Sequence, residues 1–177
     1  MRNFPLISGS PIANAVPTAE GALQLAMAST DYTLSGSRCL VTGYGRIGRL
    51  LSERLQALGA NVTIAARKYS DFAWAAAHGF STVQISRLSG RLGAYDLIFN
   101  TVPALLFDAN RLRETREDCV LLDLASAPGG FDQTAAKALG RQVICAPGLP
   151  GKTAPRTAAA AIRDSIYHIL EERGEPI

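Results

Sequence analysis

Apolar residues in this chain gather into short continuous runs separated by stretches of helical period. The runs at residues 39–42, 62–66, 82–85, 95–100, 120–124 and 142–145 predict six strands. Between them, apolar residues at i, i+3 and i+4 predict helices after residue 46 and from Phe72 to Ala77, and residues 87–92 predict a polar helix or loop. Strands that are apolar throughout and alternate with helices indicate an α/β fold with a parallel sheet covered on both faces.

Helices are also predicted at both ends of this pattern. Thr18 is the expected N-cap of a leading helix whose inner face would be Ala19, Ala22, Leu23, Ala26 and Met27. A closing helix from about residue 153 to 172 would present Ala158, Ala161, Ile162, Ser165, Ile166 and Ile169. We therefore expect an irregular segment at residues 1–16, one domain at residues 17–172 and a tail at residues 173–177.

Three glycines stand between the first strand and its helix in the pattern G-x-G-x-x-G. Gly43 would permit the tight turn, Gly45 would let the backbone approach a pyrophosphate, and Gly48 would let helix and strand pack closely. A strand before the motif and an amphipathic helix after it predict dinucleotide binding on a Rossmann-type doubly wound sheet. The predicted pyrophosphate site is Gly43, Tyr44, Gly45, Arg46 and Ile47.

The end of the second predicted strand carries positive rather than negative charge. NAD-binding units usually place an acidic residue there, whereas a basic residue accommodates the 2′-phosphate of NADP. Here Ala66 is followed by Arg67 and Lys68, and the first carboxylate is Asp71. NADP is the predicted cofactor; in the alternative interpretation, both cations are solvated loop residues.

The ligand crevice of such a sheet lies beyond the carboxyl ends of its strands. Two interpretations hold for the polar residues after the fourth strand, which would either face the nicotinamide ribose or cap the next helix. Asp123 fits a local backbone turn. The predicted site residues at these strand ends are Asn100, Thr101, Val102, Pro103, Ala125, Ser126 and Pro147. Lys152, just before the closing helix, is either a carboxylate partner or an ordinary surface lysine.

Composition narrows the function class further. The 177 residues are 47% hydrophobic with a net charge of +3, and the basic residues are scattered, which does not favour nucleic-acid binding. Cys39, Cys119 and Cys145 sit singly in strand-like settings, which predicts buried reduced thiols in a cytoplasmic protein and no metal site. No apolar run is long enough to predict a membrane span.

The remaining aromatic and imidazole side chains suggest structural roles. His78 is expected at a helix end, where a cation suits the helix dipole, and His168 is expected to pair with Asp164 on the closing helix. Trp74 is expected to be a packing residue. No Ser-His-Asp arrangement and no carboxylate dyad can be assembled from the sequence.

Seven segments of the sequence are distinctive: residues 17–22, 43–48, 59–63, 66–68, 99–104, 123–126 and 146–155. Each alone fits a wider group that includes the 2-hydroxyacid dehydrogenases. Taken in order, and above all through Asn-Thr-x-Pro and Pro-Gly-Leu-Pro-Gly-Lys, they resemble the A subunits of dipicolinate synthase. The resemblance covers about residues 6–170.

That resemblance implies NADP-dependent oxidation of dihydrodipicolinate to dipicolinate during spore formation, together with a second synthase subunit. For such a small dicarboxylate, Lys152 would bind a carboxylate, and Thr101 and Ser126 would donate hydrogen bonds. Members of the family carry an N-terminal domain ahead of the cofactor domain. Because almost nothing precedes Pro17 here, we expect a fragment or a naturally short member with exposed apolar helix faces that favour homo-oligomers or partner docking.

Two other functions remain open at this point. The chain could be a nonenzymatic dinucleotide-sensing module, in which cofactor binding alters a partner interface. It could also be a fragment of a hydroxyacid or shikimate-type dehydrogenase. Against the second, the chain lacks a catalytic histidine near the predicted crevice and a readable Lys-Asp pair.

Overall fold

A computed structural model describes residues 14–173 of the chain and shows one six-stranded sheet with helices on both faces. The strands are β1 (Arg38–Thr42), β2 (Asn61–Ala66), β3 (Ser81–Gln84), β4 (Leu97–Asn100), β5 (Val120–Asp123) and β6 (Val143–Cys145). The helices are α1 (Ala15–Ala28), α2 (Arg46–Ala57), α3 (Tyr69–Ala77), α4 (Ala109–Glu114), α5 (Gln133–Ala138), α6 (Leu149–Thr153) and α7 (Pro155–Arg173). Two short 3₁₀ turns, Ile85–Arg87 and Leu92–Ala94, separate β3 from β4.

The strand order is β3-β2-β1-β4-β5-β6, and every neighbouring pair is parallel. The chain first builds outward from β1 to β3 and then returns to place β4 on the other side of β1. This reversal beside β1 opens a crevice at the carboxyl ends of the strands. The predicted Rossmann-type fold is confirmed.

Both faces of the sheet are buried, as the apolar runs predict. Consecutive residues of β1 point to opposite sides, so that Val41 enters one core with α1 and α2 while Leu40 enters a second core with Phe107 and Leu112. Phe107 and Phe131 stack at 4.4 Å in the second core. Helices and turns cover the sheet on each side, which explains why its central strands are apolar throughout.

The start of α1 differs from the prediction. The helix begins at Ala15, so the expected irregular segment does not extend to residue 16; residues 1–13 lie outside the described part. Thr18 is not the N-cap, because it lies inside the first turn and its hydroxyl donates back to the Asn14 carbonyl at 2.7 Å. Met27 is exposed rather than packed. The alanines of the predicted inner face are fully buried, which lets α1 lie close to α2.

Several side chains are also less buried or paired differently than predicted. Trp74 is 55% exposed and stacks on His78, while His78 does cap the end of α3. Cys145 is exposed because it ends the edge strand β6, whereas Cys39 and Cys119 are buried as predicted. His168 lies 3.3 Å from Glu172 instead of Asp164. No helix within residues 14–173 is long and apolar enough to cross a bilayer.

A charged cluster ties the amino ends of three strands together. The Asp96 carboxylate accepts from the backbone and guanidinium of Arg38 at 2.8 and 2.9 Å and from Arg116 at 2.7 Å. Asp96 precedes β4, Arg38 begins β1, and Arg116 lies ahead of β5. The hydrogen bonds from Arg38 hold the pKa of Asp96 below its usual value. This cluster stabilises the edge of the sheet opposite the crevice.

Replacing Asp96 with Asn should lower the free energy of unfolding by about 1 kcal/mol at pH 7, because charge-assisted hydrogen bonds are lost. A carboxylate with a lowered native pKa stabilises the fold above its unfolded pKa of about 3.9, and that contribution disappears as the pH falls through the native pKa. Urea denaturation at pH 7 and pH 3 should show the difference shrinking in acid. A gap that persists at pH 3, or an equal loss for the control Asp164→Asn, would contradict this assignment.

Candidate functional site

The crevice begins where β1 turns into α2. Gly43 has φ +89°, and a Cβ there would lie 2.5 Å from the Thr101 hydroxyl and 2.9 Å from a Val102 methyl. Its N–H donates to the Ala65 carbonyl of β2 at 2.8 Å. Both the backbone conformation and the closeness of the loop after β4 therefore require glycine at this position.

The other two glycines of the motif have opposite surroundings. A Cβ at Gly48 would overlap the Gly43 carbonyl oxygen, so Gly48 allows α2 to start directly against the turn. A Cβ at Gly45 would meet nothing within 4 Å. Gly45 is the N-cap of α2, no side chain caps this helix, and its first turn holds no acid. Open space over uncapped N–H groups fits a pyrophosphate.

Tyr44, inside the glycine motif, is only 2% exposed. Its ring packs edge-to-face on Phe80, its hydroxyl lies 3.4 Å from Nδ1 of His78, and the Arg49 guanidinium covers the ring at 5.2 Å. Burial raises the pKa of the Tyr44 hydroxyl. Only the main chain of Tyr44 is therefore available to a cofactor, and its side chain fixes α3 against the turn.

A buried polar node forms the floor of the crevice. Asn100 ends β4 and is fully buried; its Oδ1 accepts from the Thr42 hydroxyl at 2.6 Å, and its Nδ2 donates to Asp123 Oδ1 at 2.8 Å. The same amide bonds both ways with the Val102 backbone, at 2.9 and 3.1 Å. Asn100 is thus saturated by the protein, and it does not cap α4, whose N-cap is Asp108.

Asp123 extends this node to the loop after β5. Its Oδ2 accepts from the Gly130 N–H at 2.8 Å and its Oδ1 from the Ala125 N–H at 3.3 Å, as the predicted local turn requires. Gly129, at φ +83°, has no room for a Cβ, which would lie 2.6 Å from Asp123 Oδ2. One carboxylate therefore sets the shape of this whole loop.

The candidate contact residues sit on loops that this node supports. The Thr101 hydroxyl donates to the Thr42 carbonyl at 2.7 Å, which leaves its oxygen as an acceptor toward the crevice side of β1. Val102 is half-buried, Pro103 is exposed, and Ala125 lies beside the exposed Ser126. Pro147 is exposed after β6. All of these residues follow carboxyl ends of strands, as predicted.

Arg67 and Lys68 leave the carboxyl end of β2 and are exposed. Lys68 is the N-cap of α3 but provides no side-chain cap. Within the described range, neither side chain has a carboxylate within 4 Å. Two uncompensated cations at this strand end fit a bound phosphate ester better than a ribose diol.

Lys152 differs from its predicted setting, because it lies inside the short helix α6 rather than in a stiff loop before α7. α6 packs on α1, where Gly21 is essential: a Cβ there would be 2.5 Å from the Thr153 hydroxyl and 3.1 Å from a Leu149 methyl. Lys152 is exposed. No hydrogen bond or ion pair joins it to the node among residues 14–173. It is therefore an available cation on a fixed helix.

The site can bind and orient, but it offers little acid-base chemistry of its own. Among the described residues, no cluster of three His, Cys, Asp or Glu could hold a metal. Sequence reasoning assigned Asp123 to a turn but missed that it also binds Asn100 across two strands. The available signal was that both β4 and β5 end their apolar runs in a polar residue, and the structure pairs those two residues directly.

Comparison with known proteins bears on this geometry. The D-isomer specific 2-hydroxyacid dehydrogenase, NAD binding domain, matches residues 16–146. The chain belongs to this family. A nicotinamide dinucleotide is therefore the cofactor class, and oxidoreductase is the enzyme class that the family supports.

Within this dehydrogenase family, the chain is homologous to the A subunits of dipicolinate synthase. The Bacillus subtilis protein of that name is 36% identical over 91% of the chain, which spans 54% of the relative's length. The crystal structure of the Bacillus halodurans protein matches 91% of this chain and 56% of its own, with 38% identity and a TM-score of 0.89. The Bacillus subtilis structure covers 93% of this chain and 55% of its own, with 35% identity and a TM-score of 0.90.

Gly45→Val should leave the fold intact and weaken dinucleotide binding by at least tenfold, because the new side chain fills the open space over the α2 N-terminus. Gly48→Val is the matched comparison and should unfold the domain, since its side chain would overlap the Gly43 carbonyl. Circular dichroism and calorimetric titration with NAD and NADP distinguish these effects. A folded Gly45→Val protein with undiminished affinity for both cofactors would show that the pyrophosphate binds elsewhere.

Proposed function

We propose that this chain is the cofactor-binding part of an NADP-dependent oxidoreductase of the dipicolinate synthase type, oxidising dihydrodipicolinate to dipicolinate in spore formation. The observation that carries the reaction is 36% identity to the Bacillus subtilis dipicolinate synthase protein over 91% of the chain. The choice of NADP rests on Arg67 and Lys68, which occupy the strand end where an NAD-binding unit usually has an acid. The whole reaction belongs to a protein about twice as long as the matched region.

In this proposal the cofactor lies across the carboxyl ends of the strands. Its pyrophosphate accepts from main-chain N–H groups at the start of α2, and its 2′-phosphate lies between Arg67 and Lys68. The nicotinamide half contacts the loop residues Thr101, Val102, Pro103, Ala125 and Pro147. Asn100 acts behind them, because its amide is already saturated, and holds the loop after β4 in place.

Bound NADP would supply the hydride acceptor. The protein's own residues bind and orient the substrate: the Lys152 ammonium pairs with one carboxylate, and Thr101 and Ser126 offer hydroxyls to the ring or the second carboxylate. Aromatisation also releases a proton from the ring. Since the described crevice contains no poised general base, we assign this proton to water.

The exposed face of α7 supports the partner part of the proposal. Ile162, Ile166 and Tyr167 are 50%, 46% and 44% exposed on one long helix, of which only Ala158 is buried. We assign this surface to a second copy of the chain or to a second synthase subunit. One domain over residues 17–172 and a cytoplasmic location complete the proposal; the three free cysteines support a reducing compartment.

Arg67→Asp should weaken NADP binding by about 2–4 kcal/mol, because a charge-assisted contact is lost and a repulsive carboxylate is added. NAD lacks the 2′-phosphate and should lose far less. Calorimetric titration of both cofactors into wild-type and variant protein measures the difference. Equal losses for the two cofactors would place the 2′-phosphate away from Arg67.

The chain alone should bind NADP yet turn over dihydrodipicolinate slowly. A complete cleft that positions the reactants is worth roughly 7–11 kcal/mol. Adding the N-terminal half of the Bacillus subtilis relative in trans, with and without its second subunit, should raise NADPH formation. In the restored system Lys152→Ala should raise the substrate KM and leave the cofactor Kd unchanged.

This assay also separates the catalytic proposal from a dinucleotide-sensing role. A sensing module would form no NADPH with any added domain or subunit, while NADP would still change its association with a partner in sedimentation experiments. Full turnover by the chain alone, unaffected by Lys152→Ala, would contradict both the need for a second domain and the role of Lys152.

A further inference from the structure

A second basic site lies beside the proposed phosphate position, at the outer edge of the sheet. A groove of about 340 Å³ runs between the start of α3 and strand β3. Tyr69 and Phe72 line it from the helix, residues 82–84 line it from the strand, and Arg87 and Arg91 close one end. The groove therefore combines aromatic walls with two guanidinium groups.

The strand register brings this groove next to Arg67. β2 and β3 are parallel, and Ala66 pairs with Gln84 at their last positions. Arg67 follows the first strand immediately, and Arg87 follows the second after two residues. Because paired parallel strands lie about 4.8 Å apart, the two chains leave the sheet side by side at the same edge.

Arg87 is held on a fixed turn rather than on a long loop. It ends the 3₁₀ turn Ile85–Arg87, and the buried side chains of Ile85 and Leu88 anchor the turn on either side of it. Arg111 donates to the Ile85 carbonyl at 3.0 Å and to the Leu106 carbonyl at 2.6 Å, which ties the turn to the loop after β4. Only the exposed guanidinium of Arg87 projects without such a bond.

The charge around this groove is uncompensated. In the part of the chain that the structure describes, Arg67, Lys68, Arg87 and Arg91 make no ion pair with any carboxylate. Elsewhere, Arg38, Arg116 and Arg163 all pair with aspartates. Four unpaired cations at two adjacent strand ends favour a ligand carrying a dianionic phosphate ester.

We propose that Arg87 is a second specificity residue for the 2′-phosphate, binding it from the β3 side while Arg67 binds it from the β2 side. The inference rests on the proposed NADP site and extends it to a residue outside the strand-end segment that normally distinguishes NADP from NAD. A dianionic phosphate with three free oxygens can accept from both guanidinium groups at once.

The test uses two small probes, adenosine 2′,5′-bisphosphate and 5′-AMP, which differ only by the 2′-phosphate. Arg87→Gln should weaken binding of the bisphosphate by about tenfold to a hundredfold and change 5′-AMP binding less than twofold. Arg113→Gln removes the same charge from an exposed site on α4 and is the matched control. Thermal unfolding of each variant verifies that the fold is unchanged.

A double-mutant cycle adds a readout that a general change in surface charge would not produce. If Arg67 and Arg87 bind the same phosphate, the loss in Arg67→Gln/Arg87→Gln should differ from the product of the two single losses by at least threefold. Independent losses, or an Arg87→Gln loss no larger than that of Arg113→Gln, would overturn the role of Arg87 while leaving Arg67 and NADP in place. Wild-type protein that binds both probes equally would overturn the NADP proposal as well.

Discussion

The crevice depends on one buried carboxylate. Asp123 is removed from water at the end of β5 and accepts hydrogen bonds from the Asn100 amide and from two backbone N–H groups of its own loop. A buried charge is tolerated only when such donors surround it. Because Asn100 in turn binds Thr42 and the Val102 backbone, one node sets the positions of the loops after β4 and β5. The residues proposed to meet the nicotinamide sit on those loops and depend on it.

This arrangement divides the work between buried and exposed polar groups. The buried residues of the node have no hydrogen-bonding capacity left for a ligand, so they preserve shape. Exposed residues such as Ser126 and Lys152 keep theirs and are free to bind. The glycine turn follows the same division: Gly43 and Gly48 are needed for contacts within the protein, whereas Gly45 leaves the space that an incoming pyrophosphate requires.

The sequence was sufficient for the order of strands and helices, the glycine turn and the fold class, because each depends on local spacing. It was insufficient where distant residues meet. The Asn100–Asp123 bond spans 23 positions and follows from strand pairing, and α6 forms within a segment rich in proline and glycine because it packs on α1. Thr18 was misassigned because a threonine that bonds back to residue i−4 looks like a cap in the sequence. Trp74 was expected to pack, yet α3 buries only Ala75 fully.

The two outer strands of the sheet are its shortest or nearly so. β3 has four residues, mostly polar and exposed, and β6 has three. Open edges of a sheet are templates on which further strands, from other molecules, can add. A parallel sheet also forms slowly, since its strands pair only after long crossovers have closed. Brief, polar margins therefore limit aggregation during the interval in which the apolar central strands are still assembling.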